Sequence, residues 1–184
     1  MAQVKALLID EMKDLLHAEN QILTALPKMA GAAKTAKLKE AFQKHLEQTQ
    51  GQVERLKEAF ELLGSKAEAT PCKGMQGIIQ EGDDTIKEAG GKDQITSDLA
   101  LIDAAQKVEH YEIAGYGNAR TLALQIDERE VARLFEQTLG EEESADHILT
   151  EISKPLLHQA RTEELTGAKG TRGTASSGSA RYAS

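Results

Sequence analysis

The chain has 184 residues, 40% of them apolar, and a formal net charge of -8. That is apolar content for the core of one domain, and an acidic balance without a dense basic patch argues against a nucleic-acid surface. A single Cys72 rules out an intrachain disulfide, and no long apolar run follows the charged opening Lys5, Asp10, Glu11, Lys13 and Asp14, so a membrane partner and secretion are not expected and the cytoplasm is the expected location.

Tryptophan is absent, aromatics are 3%, and Ala, Leu, Glu, Lys and Gln dominate, which predicts an all-α protein. From Ala2 to about Ala30, Leu8, Met12, Leu15, Leu16, Ile22, Leu23 and Leu26 recur at the spacing of an amphipathic helix, with Pro27 in its last turn and Gly31 expected to end it. A second helix is predicted from about Ala33 to Leu63 on Leu38, Phe42, Thr49, Val53, Leu56, Phe60 and Leu63, closed by Gly64. Ser65 to Asp93 reads as a crossover: a turn at Thr70-Pro71-Cys72-Lys73-Gly74, a short helix from Met75 to Ala89, and Gly90-Gly91 to end it. A third long helix is expected from about Gln94 to Ile126 and a fourth from about Glu128 to His158, with Asp127 as its cap. The bundle is expected to occupy residues 1–165, and the Gly/Ser/Thr-rich stretch over 166–184 is expected to be a disordered tail.

On these helices several acids fall on the apolar stripes. At about 100° per residue, Glu19 lies at the centre of the stripe of Leu8, Met12, Leu15, Leu23 and Leu26. Glu109 lines up with Ile102, Ala105, Ile113 and Tyr116, with Glu112 on the same side, and Glu142 and Asp146 straddle the line of Phe135, Leu139 and Leu149. The second helix presents His45, Thr49 and Gln52 near its stripe's centre and Gln48 at the edge, whereas Glu47, Glu141 and Glu143 point away. Counted from the hairpin turns, all of these inward groups come to one height: Glu19 is 12 residues before Gly31, His45 and Gln48 are 14 and 17 after it, and the acids of the last two helices lie at similar distances from Ile126 and Asp127. An ionised carboxylate costs several kcal/mol to bury unless something neutralises it, and no Lys or Arg shares these stripes. Two readings stay open: a pair of metal ions held by hard oxygen ligands, or acids that are partly hydrated or satisfied by Tyr111, Tyr116, His45, Arg120 and shared protons. Cys72 likewise reads either as a buried small apolar group or as a redox thiol, with Gly74 and Gly77 allowing its helix to pack closely.

Five segments carry a resemblance: LLHAENQ at 15–21, HLEQT at 45–49, CKGMQGIIQEG at 72–82, AAQKVEHYEIA at 104–114 and TLGEEE at 138–143. Over about residues 3 to 158 they resemble the bacterial YciF/YciE-type ferritin-like stress proteins. The resemblance implies a ferritin-like four-helix bundle of two antiparallel hairpins with a short extra helix in the crossover. It also implies a dinuclear site, iron first and manganese as the alternative, and homodimers. The implied ligands are Glu19, His45, Glu109, Glu112, Glu142 and Asp146. Gln48 is a departure, since relatives place a glutamate there, and its neutral amide predicts a weaker or asymmetric site.

Two functions are expected from this. One is a protein that binds Fe(II) and oxidises it with oxygen or peroxide; with one Cys it cannot build a four-Cys iron centre, so sustained peroxide reduction needs an external reductant. The other is a metal-poor structural dimer acting through protein partners under stress, which Gln48 favours.

Overall fold

A computed structural model describes the backbone of residues 1–172 and the side chains of residues 1–166. It contains five helices among the described residues: α1 (Ala2–Ala32), α2 (Ala36–Leu62), α3 (Lys73–Ala89), α4 (Gln94–Gln125) and α5 (Arg129–Arg172). α1 pairs with α2 and α4 with α5; α2 lies against α5 and α1 against α4, which closes a four-helix bundle, and α3 packs outside it on α1 and α4. α5 runs past residue 166, where the tail was expected to begin, and residues 173–184 of that tail lie outside the described residues.

The helix ends differ from the sequence expectation for local reasons. Gly31 does not end α1, which continues to Ala32 with Pro27 inside it. The turn is made instead by Ala33, Lys34 and Thr35, and a carboxylate from another helix holds it: Asp98, fully buried near the start of α4, accepts from the amides of Lys34 and Thr35 at 2.7 and 2.8 Å. This contact also fixes direction. α4 starts at the end of the bundle where α2 starts, so α4 runs parallel to α2 and antiparallel to α1. We expect Asp98→Ala to cost about 2 kcal/mol, because it strands two amides at a helix N-terminus, with a smaller loss for Asp98→Asn; urea denaturation of both variants checks this.

Asp127 is not the cap of α5. It adopts the left-handed conformation at φ 62°, with its amide bonded to Leu124 O at 3.2 Å and that of Glu128 to Ala123 O at 3.0 Å, the paired bonds that close a helix C-terminus. Gly64 does the same for α2 at φ 65°. Asp93 caps α4, accepting from Thr96 N at 2.9 Å. Gly74 lets the first turn of α3 lie on the Tyr111 ring, where an added Cβ would come within 2.7 Å of a ring carbon; at Gly77 an added Cβ would meet nothing within 4 Å, so that glycine serves no close approach.

The apolar core is split in two. One cluster, with Ile22, Leu26, Leu38, Phe42, Ile102, Leu149 and Ile152, fills the end near the Thr35 turn. The other, with Leu8, Met12, Leu15, Leu56, Phe60, Ala119, Val131 and Phe135, fills the opposite end. In each long helix the step from one cluster to the other crosses buried polar side chains: Glu19 on α1, His45, Thr49 and Gln52 on α2, Glu109 and Glu112 on α4, and Thr138 and Glu142 on α5.

Candidate metal centre

Within this polar layer, His45, Glu109, Glu112 and Glu142 each bring one nitrogen or oxygen within 4.8 Å of the others. His45 Nε2 lies 3.3 Å from Glu109 Oε2 and 3.6 Å from Glu142 Oε2. Burial is close to complete: His45 is 4% and Glu109 3% exposed, and Glu112 and Glu142 are fully enclosed. Glu19 is also fully buried and stands beside this set, receiving the hydroxyl hydrogen bond of Tyr116. Tyr116 in turn packs on Phe135, ring centroids 5.9 Å apart.

Many of the lone pairs in the layer have no protein partner. Both ring nitrogens of His45, both oxygens of Glu112, and one oxygen each of Glu19, Glu109 and Glu142 are buried without a hydrogen bond. Buried polar atoms are normally paired, and oxygens and an imidazole nitrogen converging without a donor are what a hard or borderline metal ion takes. The residues therefore fit a metal ion. Burial raises the Glu19 carboxyl to about 8 against the opposing hydrogen bond from Tyr116, with charge on Glu142 adding to the rise. Glu109 is pushed well above the ordinary carboxylate range by burial first, then by its hydrogen bond to and the charge of Glu142 and by the charges of Asp146 and Glu19; Glu112 is pushed up by burial first, then by the charges of Glu19, Glu142 and Glu109. Metal-free, the layer consequently holds protons at neutral pH.

Two of the expected ligands sit differently. Asp146 is half-buried outside the four-residue set, where its Oδ1 accepts from Gln106 Nε2 at 2.8 Å and lies 3.4 Å from the exposed His110. Gln48 is half-buried on the wall of a small cavity that also touches His45, Glu109, Ala145 and Leu149. The fully buried amide on α2 is Gln52, whose nitrogen donates to Glu142 Oε1 and, at 3.1 Å, to Glu141 Oε2. Glu141 thus turns toward α2 rather than away. Arg55 clasps it and donates from Nε to Thr138 Oγ1 at 2.9 Å, so a chain from Arg55 through Glu141 and Gln52 orients Glu142. Glu47 is exposed, as its helical phase requires.

The other candidate partners of the acids divide. Tyr116 and His45 face the layer, whereas Arg120 pairs with Glu136 at 3.1 Å and Tyr111 donates to Asp14 at 2.8 Å. Tyr111 Oη also lies 2.9 Å from Cys72 Sγ, and the Cys72 amide donates to His17 Nδ1 at 3.2 Å, which pins the start of α3 to α1. Burial raises the Cys72 thiol, so it stays protonated, the behaviour of a packing residue rather than a reactive thiolate.

Comparison with known proteins places this arrangement in a family. The chain is 42% identical over 154 residues to protein YciF of Escherichia coli (strain K12), covering 83% of this chain and 92% of that one. The crystal structure of the E. coli stress protein YciF superposes with a TM-score of 0.81 at 39% identity, over 86% of this chain and 99% of that one. YcfI of Rhodopseudomonas palustris follows at 0.75 and 37%, over 80% and 92% of the two chains. The dodecameric thioferritin of Bacteroides fragilis, at 15% identity with a TM-score of 0.64 over 87% and 90% of the chains, shares the fold. A model described as a domain of unknown function, DUF892, matches residues 3–162, from the first turn of α1 into α5, and with these relatives it makes the chain a member of the DUF892 family, built as a ferritin-like helical bundle.

Proposed function

We propose that this protein is a ferritin-like stress protein whose buried polar layer binds a pair of metal ions, iron first and manganese as the alternative, and that it oxidises Fe(II) for detoxification rather than bulk storage. The unpartnered nitrogen and oxygen atoms converging between the two halves of the core carry this reading. Glu109, Glu112, Glu142 and His45 would hold the ions, with Glu19 beside them and Asp146 at the outer edge. When bound, two Fe(II) ions supply two electrons, which with two protons take dioxygen to hydrogen peroxide. Gln52 keeps Glu142 oriented, and Tyr116 keeps Glu19 oriented. The two apolar clusters keep bulk water from the layer. Continued turnover on peroxide needs an outside reductant. The stress context rests on likeness to the E. coli protein, and a homodimer of the 1–165 bundle in the cytoplasm is part of the same proposal; among the described residues no helix is long and apolar enough to cross a membrane.

A second reading is favoured by one observation: α2 brings the neutral amides of Gln48 and Gln52 to the layer, and the acids can keep their protons, so the bundle can fold without metal. That is a metal-poor structural dimer working through protein partners. Anaerobic Fe(II) titration separates the two. The metal reading expects binding that Glu109→Gln weakens by about tenfold or more and that Glu47→Gln leaves unchanged, since losing one charged ligand costs more than about 1.4 kcal/mol. No binding by the unaltered protein would leave the structural reading standing, and equal losses in the two variants would show that Glu47 belongs to the ligand set and that the phase assigned to α2 is wrong.

A further inference from the structure

A cleft enters the bundle between α1, α2, α3 and α4 and ends on the metal-binding layer. Its walls are apolar: Ile22, Leu26, Phe42, Ile79, Ile86 and Val108 are representative. At its inner end stand His45 and Glu109, each more than nine-tenths buried, with both His45 nitrogens and Glu109 Oε2 unpartnered. At its rim Asp83 is tied to Lys28 at 3.0 Å, which clips α3 to α1. The free cavity is about 30 Å³, where one water-sized sphere takes roughly 10–15 Å³. That admits a molecule of two heavy atoms and not an alkyl chain. Apolar walls offer no hydrogen bonds, so a polar or charged molecule loses those it makes to water on entering, whereas an apolar gas has none to lose.

Gly82 is a position from which the cleft can be filled. It lies within α3 and lines the cleft, yet an added Cβ there would meet nothing within 4 Å. What it leaves is open space on the outer wall of the cleft.

We propose that this cleft is a binding site and way in for a small apolar molecule of the size of dioxygen, delivering it to the His45–Glu109 edge of the layer, with α3 as the removable wall. This rests on the proposed iron oxidation for its purpose but not for its geometry. A second small cavity, beside Gln48 and Lys44 and walled mostly by apolar side chains, reaches the same two residues from the α2–α5 side.

The test compares the unaltered protein with Gly82→Phe, which fills the cleft, and Gly77→Phe, the same change at an exposed position of the same helix that lines nothing. Xenon binding to the metal-free proteins is read by NMR and by crystals under xenon. The unaltered protein and Gly77→Phe are expected to hold xenon in the cleft and Gly82→Phe to exclude it. With Fe(II) bound equally by all three, oxidation by dioxygen is expected to slow by about tenfold or more in Gly82→Phe alone, as when access rather than chemistry limits a rate. Absence of xenon from the cleft of the unaltered protein, or full dioxygen rates in a folded Gly82→Phe, would overturn the proposal. If Gly82→Phe fails to fold, Ala25→Leu, on a half-buried position of the same cleft, takes its place with the same expected results. If no variant binds Fe(II), the iron reading fails, and the xenon result still decides the cleft.

Discussion

Lowering the pH of the metal-free protein from about 8 to about 5 is expected to raise its melting temperature by about 10 °C, the reverse of ordinary acid destabilisation. The folded carboxyl of Glu19 is raised to about 8 from an ordinary 4.5, and Glu109 and Glu112 are raised with it. Between those values the folded state binds more protons than the unfolded one, so unfolding free energy falls as pH rises through the window and is recovered as pH falls. Each pH unit is worth about 1.4 kcal/mol per proton, and a kcal/mol moves the melting temperature of a chain this size by about 2–4 °C. Below pH about 4.5 the gain ends, since the unfolded carboxyls then bind the same protons; the stability from helix-capping Asp93, whose carboxyl is held low by the Thr96 amide, is lost only below its ordinary value of 3.8. Saturating Fe(II) or Mn(II) without oxygen is expected to lift the melting temperature at pH 8 and flatten the slope, because bound metal replaces the protons; at a hundred times the dissociation constant one site adds about 2.7 kcal/mol. A metal-free profile that rises with pH, or no lift at saturating metal, would show that these acids are hydrated and not enclosed.

How far the sequence foretells this layer depends on whether a residue's partners are near in the chain or far. Helix phase alone puts Glu19, His45, Glu109, Glu112 and Glu142 inward, because each shares a stripe with leucines and phenylalanines whose burial is not in doubt, and the count from each turn gives their common height. Asp146 sits at the margin of its stripe, and there phase cannot decide. Its position is set by Gln106 and Thr150, which form a polar seam between α4 and α5. Glu141 points away by phase but is long enough to swing back to Arg55 and Gln52, 86 and 89 residues distant. Asp98 was invisible for the same reason: a lone acid near the start of α4 gives no sign that two amides 63 and 64 residues earlier need it. Ser97, which donates to Ala89 O at 2.8 Å, closes the α3–α4 turn in the same unannounced way.

The two amides of α2 offer the sharpest division of roles, and charging each in turn should give different results. Gln52→Glu replaces a donor by a like charge directly against Glu142 and Glu141, inside a layer where burial and like charge already push Glu109 and Glu112 up. Leaving an uncompensated charge there costs about 3–5 kcal/mol, so the metal-free protein should unfold at markedly lower urea concentration, and the loss should shrink when metal is bound. Gln48→Glu adds its charge at the half-buried cavity wall beside His45 and Glu109. It should cost the metal-free protein only about 1 kcal/mol, because water reaches that wall and screens the added charge, while tightening metal binding and raising the stoichiometry toward two ions per chain. Competition titration and urea denaturation of both variants read all four quantities. If Gln48→Glu changes neither affinity nor stability, position 48 does not reach the acids, and the ligand set centres on His45 and Gln52. If Gln52→Glu is harmless without metal, the hydrogen bond to Glu142 is not what orients that carboxylate, and the chain from Arg55 inward has no part in shaping the site.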